Sequence, residues 1–131
     1  MKSLTYLVAL GITLSIMACS TQKTIPAPKT YSLIGQWEGC DGRIIEFTKE
    51  DDIIIGRCIA LGGLGTYGFT LNEVGYEVEA QGNNTYKGRV KWRKTGQKDP
   101  FWKNVEITID GNSYEDQGSD SCGREMARVK S

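Results

Sequence analysis

The stretch Glu73-Val74-Gly75-Tyr76-Glu77-Val78-Glu79-Ala80-Gln81, followed by Gly82-Asn83-Asn84 and then Thr85-Tyr86-Lys87-Gly88-Arg89-Val90-Lys91-Trp92-Arg93-Lys94, decides the fold. Val74, Tyr76, Val78 and Ala80 alternate with Glu73, Gly75, Glu77 and Glu79. Tyr86, Gly88, Val90 and Trp92 alternate with Lys87, Arg89, Lys91 and Arg93. A period of two belongs to a strand with one dry face and one wet face. Gly82-Asn83-Asn84 accept positive φ at little cost, so the two runs close as a hairpin. The loop length sets Gln81 opposite Thr85. Glu79 then faces Lys87, Glu77 faces Arg89 and Glu73 faces Arg93. On the other face Ala80 meets Tyr86, Tyr76 meets Val90 and Val74 meets Trp92. Each such pair contributes about 0.2–1 kcal/mol. A slip of one residue would carry charges into the core, so the register is firm.

The same pattern extends in both directions, and no helical period interrupts it from Leu33 onward. Residues 34–39 and 43–49 join through Cys40-Asp41-Gly42, with Trp37 opposite Ile45. A turn at residues 49–52 leads into 53–61. In residues 103–110, Val105, Ile107 and Ile109 point inward. Asp110-Gly111 then turns the chain into 112–117, and 122–130 closes it. About eight short antiparallel strands, with turn signals every 8–12 residues, make a small all-β domain. A closed meander leaves no edge strand exposed, so a small antiparallel up-and-down barrel is expected, with a β-sandwich as the alternative.

The N-terminus carries a different message. Lys2, an apolar run from Leu4 to Ile16 and Met17-Ala18-Cys19 have the n-region, h-region and small residue of a secretory signal. The run is shorter than the roughly 20 residues of a spanning helix, which favours cleavage. With a cysteine directly after the small residue, it resembles a bacterial lipoprotein signal. The resemblance implies that residues 1–18 are removed and that Cys19 is acylated, with the protein held on a membrane through that lipid. Ser20, standing where an aspartate would signal inner-membrane retention, implies the outer membrane and its periplasmic face. Residues 20–32, with Pro26 and Pro28 among polar neighbours, read as a tether that could span about 40 Å. The expected plan is a signal at 1–18, lipidated Cys19 and tether at 19–32, and a barrel domain at 33–131.

A second resemblance rests on Gly35-Gln36-Trp37 in the first strand, with Arg124 or Arg128 in the last. These look like the calycins, which include lipocalins, fatty-acid-binding proteins and avidins. Asp41-Gly42, Ile45-Glu46-Phe47 and Ile55-Gly56 add a likeness to small bacterial lipocalin-like proteins. It covers roughly residues 33–130, and it implies a lipocalin-like barrel whose closed end is plugged by Trp37 under a last-strand arginine. The chain is shorter than a typical lipocalin and lacks the long C-terminal helix.

With Cys19 lipidated, Cys40, Cys58 and Cys122 remain. An oxidising compartment favours pairing. First and last strands are antiparallel neighbours in an up-and-down barrel, which brings Cys40 beside Cys122. A disulfide Cys40–Cys122 is therefore expected, closing a loop of about 80 residues and contributing roughly 4 kcal/mol. Cys58 points inward with Ile54 as a buried thiol.

The composition narrows the chemistry. The chain of 131 residues has no histidine, and its formal net charge is zero. Removing Lys2 leaves 15 Lys and Arg against 16 Asp and Glu, with no pull toward nucleic acid. The commonest general base and the commonest metal ligand are both missing. Gly62-Gly63-Leu64-Gly65 lacks the Lys-Ser/Thr ending of a phosphate loop and reads as a loop at the barrel mouth. Asp110-Gly111-Asn112 and the acids Glu115, Asp116 and Asp120 read as turn chemistry rather than a calcium loop. No enzyme activity, cofactor or metal is expected.

What remains is binding. Inward Gly56 and Gly88, beside Trp37, Tyr76, Tyr86 and Trp92, would leave an aromatic-lined space for a small apolar or amphipathic ligand. The alternative is an inhibitor or immunity-type lipoprotein that holds an envelope protein through its loops. Its contacts would be Tyr67 and Phe69 in one loop and Phe101 and Trp102 in the loop 95–102. The basic residues of 87–94 read as a strand face paired with glutamates. A monomer is expected.

Overall fold

The computed structural model describes residues 30–130. The signal-like segment, Cys19 and all of the tether up to residue 29 lie outside the described residues, as does Ser131. Eight strands follow in order: β1 (Gly35–Glu38), β2 (Ile44–Glu50), β3 (Ile53–Ala60), β4 (Val74–Gly82), β5 (Thr85–Trp92), β6 (Phe101–Asp110), β7 (Ser113–Gln117) and β8 (Glu125–Arg128). A 3-10 helix, Gly62–Tyr67, lies between β3 and β4. One helical turn, α1 (Ser121–Arg124), precedes β8. Each strand pairs antiparallel with its neighbours, and β1 pairs with β8 through Trp37 and Arg128, so the sheet closes into a barrel rather than a sandwich.

The deciding hairpin has the register its alternation requires. Tyr76 faces Val90, Glu77 faces Arg89, Glu79 faces Lys87 and Ala80 faces Tyr86. Two details differ. Gly82, not Gln81, sits opposite Thr85, because a bulge absorbs Gln81. That extra residue lets Asn83 and Asn84, both at positive φ, form the tight two-residue turn that suits strand twist. At the other end the β4–β5 register stops at Tyr76 and Val90, and Val74 pairs with Arg57 of β3 instead of Trp92.

Two strand boundaries also differ from expectation. Phe101 and Trp102 are the first residues of β6, opposite Trp92 and Lys91, and not part of a loop. The last strand begins at Glu125, because Asp120 caps a helical turn at Cys122 by accepting from the Gly123 amide. Cys40 and Cys122 still meet and form a disulfide, with Cα atoms 5.0 Å apart, while Cys58 is free and buried.

One end of the barrel is filled. Trp37 is fully buried there, tilted against Tyr114 at 5.7 Å, and its indole N–H donates to the Leu33 carbonyl at 2.9 Å. Burying a large apolar side chain of this kind stabilises by about 1.5–3 kcal/mol. The Arg128 guanidinium lies 4.2 Å from the ring centre of Trp37 and donates to the carbonyls of Ser32 and Ile34. The Tyr86 hydroxyl accepts from the Leu33 amide and donates to the Tyr31 carbonyl. Tyr31 in turn donates its amide to Asn84 in the β4–β5 turn.

The glycines expected to open a cavity do not. A Cβ on Gly56 would press on the Phe47 ring and Tyr76, so those aromatic groups already occupy the space. A Cβ on Gly88 would strike the β4 backbone at Glu77 and Val78, so this glycine permits close strand approach.

Candidate functional site

The connections β1–β2, β3–β4, β5–β6 and β7–β8 gather at the other end, and there a cavity of about 220 Å³ enters the barrel. Ile45, Cys58, Leu64, Phe69, Tyr76, Val90 and Trp92 give it a mostly apolar wall. Leu64 reaches the wall because the 3-10 helix folds over the mouth, with the Gly63 amide donating to Asp41 of the β1–β2 loop. The glycine-rich run is thus an ordered cover rather than an open loop. Phe69, expected as an exposed contact, is buried beneath it, while Tyr67 is 45 % exposed and lines the cavity edge.

The floor is a hydrogen-bonded chain. After Gln117 the backbone leaves the wall and Ser119 dips into the interior. Tyr76 and Ser119 meet oxygen to oxygen at 3.0 Å, and the Ser119 hydroxyl and amide both donate to Asp116. Tyr114 donates its hydroxyl to the same carboxylate at 2.6 Å. Burial pushes the Asp116 carboxyl above its ordinary range, and the Ser119 and Tyr114 bonds recover only part of that shift. Burial likewise pushes the Tyr76 and Tyr114 hydroxyls up.

Two ion networks brace the mouth. Arg43, only 4 % exposed, holds Asp41 through Nε and Nη2 and Asp120 through Nη1 and Nη2. This clasp ties the β1–β2 loop to the β7–β8 connection beside the disulfide. Burial alone would raise the Asp41 carboxyl, but the Arg43 bonds outweigh it and hold the group below its ordinary range. At the rim Glu73 accepts from Arg93 at 2.9 Å and lies 3.7 Å from Lys91, and these cations similarly pull its carboxyl down against burial.

Trp92 connects wall to surface. Its indole N–H donates to Gly118 at 2.8 Å, its ring stacks on Phe101 at 6.3 Å, and the Lys103 ammonium lies 3.8 Å from its centre. Trp102 faces outward under Arg89 at 4.2 Å. The cations of residues 87–94 are paired much as read: Arg89 with Glu77 and Arg93 with Glu73. Lys87 instead approaches Glu106 of β6, at 3.9 Å, rather than Glu79.

Of the ligand-facing residues expected from sequence, Tyr76 and Trp92 line the cavity. Trp37 and Tyr86 sit at the filled end and do not. Tyr67 and Phe69, expected to face a protein partner, join the cavity, and Phe101 supports it from behind Trp92. Arg43, Leu64, Ser119, Asp116 and Lys94 were missed. Arg43 had a signal: the expected Cys40–Cys122 bond brings residues 41–43 against 119–123, where Asp120 waits. Among the described residues no cluster of His, Cys, Asp or Glu could hold a metal ion. Asp116 and Asp120 spend their oxygens on Ser119, Tyr114, Arg43 and Gly123, and do not share a site.

No family model, no curated protein and no solved structure matches the chain, so the barrel and its cavity are read from their own geometry.

Proposed function

We propose that the protein is a non-catalytic binding module, held on the periplasmic face of a bacterial outer membrane through lipidated Cys19, that takes a small apolar or amphipathic ligand. The observation that carries the reading is the cavity of about 220 Å³ walled by Leu64, Phe69, Tyr76, Val90 and Trp92 at the braced end of the barrel. It exceeds the roughly 150 Å³ of an apolar cavity that accepts benzene, so a single substituted ring or a short acyl chain is the matching size. The lipid anchor rests on the N-terminal motif, and the calycin likeness is supported by Arg128 packed over Trp37. The non-catalytic reading is supported by the state of the candidate groups. Burial raises the Cys58 thiol, and the Ser119 hydroxyl is already committed to Asp116.

Native mass spectrometry of residues 20–131, produced in a periplasm without the acylated cysteine, tests it. An added mass that is lost on denaturation is the expected result. Bare protein, together with no shift in tryptophan fluorescence on titration of a Trp102→Phe variant with 4-phenylbutanol, would overturn it.

A second reading is favoured by one observation. Leu71 and Tyr67 are 60 % and 45 % exposed on the same β3–β4 connection, an apolar edge suited to a protein partner. In that case Leu71→Ser together with Tyr67→Ser would abolish co-purification of an envelope protein with the full lipoprotein.

A further inference from the structure

We infer that the ligand is a small organic anion, an aryl or short-chain carboxylate that enters apolar end first and leaves its acid at the rim beside Lys94. The inference rests on the binding function proposed above and specifies the class of ligand. It starts from the distribution of charge around the cavity. Arg43, Lys91, Arg93 and Lys94 line it, against the single carboxylate of Asp120. Arg43 is committed to Asp41 and Asp120, and Lys91 and Arg93 are committed to Glu73. Asp41 and Glu73 stand behind the lining and complete these pairings. The charge left over is Lys94, whose ammonium lies 5.5 Å from the Phe101 ring and whose neighbour Thr95 also lines the opening.

The placement of charge sets the orientation. On the floor the Asp116 carboxyl lies below Ser119, and on the β1–β2 side of the mouth the Asp41–Arg43–Asp120 clasp carries two carboxylates for one guanidinium. An anion on the floor or against the clasp would meet acids. On the β5–β6 side of the rim the surplus is positive, with Lys91 and Arg93 sharing one carboxylate, and Lys103, whose ammonium lies 3.8 Å from the Trp92 ring centre, adds to it. An apolar body therefore packs against Leu64, Phe69, Val90 and Trp92, while a carboxylate stays at the mouth within reach of the Lys94 amine and the Thr95 hydroxyl. Lys94 is exposed, so its contribution is modest and screened by salt.

The test compares three probes that share one apolar body: 4-phenylbutyrate, 4-phenylbutanol and 4-phenylbutylamine, titrated into residues 20–131 by calorimetry at low ionic strength. The acid is expected to bind about five-fold tighter than the alcohol, with the amine weakest. Lys94→Gln should bring the acid down to the alcohol while leaving the alcohol unchanged, and raised salt should do the same to the unmodified protein. Equal binding of acid and alcohol would overturn the inference and leave the binding function standing. Binding of none of the three would overturn both. Lys98→Gln is the control, since it removes a charge from the same connection at a residue that does not line the cavity, and it should leave the acid's advantage intact.

Discussion

Arg128 lies over Trp37, guanidinium carbon to ring centre 4.2 Å, and so couples the last strand of the barrel to the first at its filled end. The same guanidinium donates to the Ser32 and Ile34 carbonyls, which fixes the chain where it enters β1. Arg128→Ala removes both kinds of contact at a half-buried site, and a loss of about 1–2 kcal/mol in urea unfolding is expected. Arg128→Lys should recover only part of it, because an ammonium cannot stack flat and reach two carbonyls at once. A neutral Arg128→Ala would show that Trp37 closes the barrel unaided.

Arg43 is the corresponding brace at the mouth. Arg43→Met leaves Asp41 and Asp120 facing each other without their cation, and a loss of about 2–3 kcal/mol is expected, less than for a fully buried pair because Asp120 keeps some water. Adding Asp120→Asn should restore part of that stability. If the double variant is less stable than the single by the full cost of Asp120→Asn alone, the two residues are not coupled.

The pH dependence has two opposing parts. Asp116 is raised by burial, so the folded protein holds that proton more tightly than the unfolded chain does. Its ionisation therefore costs stability, and the cost is relieved as pH falls from neutral through its folded value. Asp41 and Glu73 are held below their ordinary range by their cations. The stability they contribute is present above their unfolded values of roughly 4 and is lost as pH falls through the folded ones. Urea midpoints should therefore hold or rise on moving from pH 7 toward 5 and drop below about pH 4. Asp116→Asn should remove the upper feature and Asp41→Asn should blunt the lower one. A steep loss beginning above pH 5 would contradict this assignment.

Filling the cavity separates it from the outer surface. Val90→Phe places a ring among Leu64, Phe69 and Trp92 and should abolish binding of 4-phenylbutyrate, with a change in stability under about 2 kcal/mol. Trp102→Ala, on the outward face, should leave that binding within two-fold. Phe101→Ala should weaken it, since Phe101 stacks behind Trp92.

Where the chain alternates with period two, its sequence was legible. The pairing of Glu77 with Arg89, of Tyr76 with Val90 and of Trp37 with Ile45 follows from local spacing and one turn each. The Cys40–Cys122 bond followed from topology alone. The site was less legible because its polar half depends on contacts between residues far apart in sequence, made by segments with no period. Nothing around Ser119 says that the backbone turns inward there to meet Tyr76, forty-three residues earlier. Leu64 and Phe69, set among glycines, read as residues of a loop at the barrel mouth, yet the Gly63–Asp41 bond and the apolar hole beneath them draw that run down as a cover. Gly56 and Gly88 misled for the opposite reason. A missing side chain can mean space, or a neighbour already in it, and only packing distinguishes the two.

The position of Tyr31 has a directional consequence. The described chain begins at the filled end, where Tyr31 is tied to Asn84 and Tyr86, whereas the cavity opens between the connections at the opposite pole. Entry into the sheet and access to the cavity are thus kept at separate poles, so a change at one need not disturb the other.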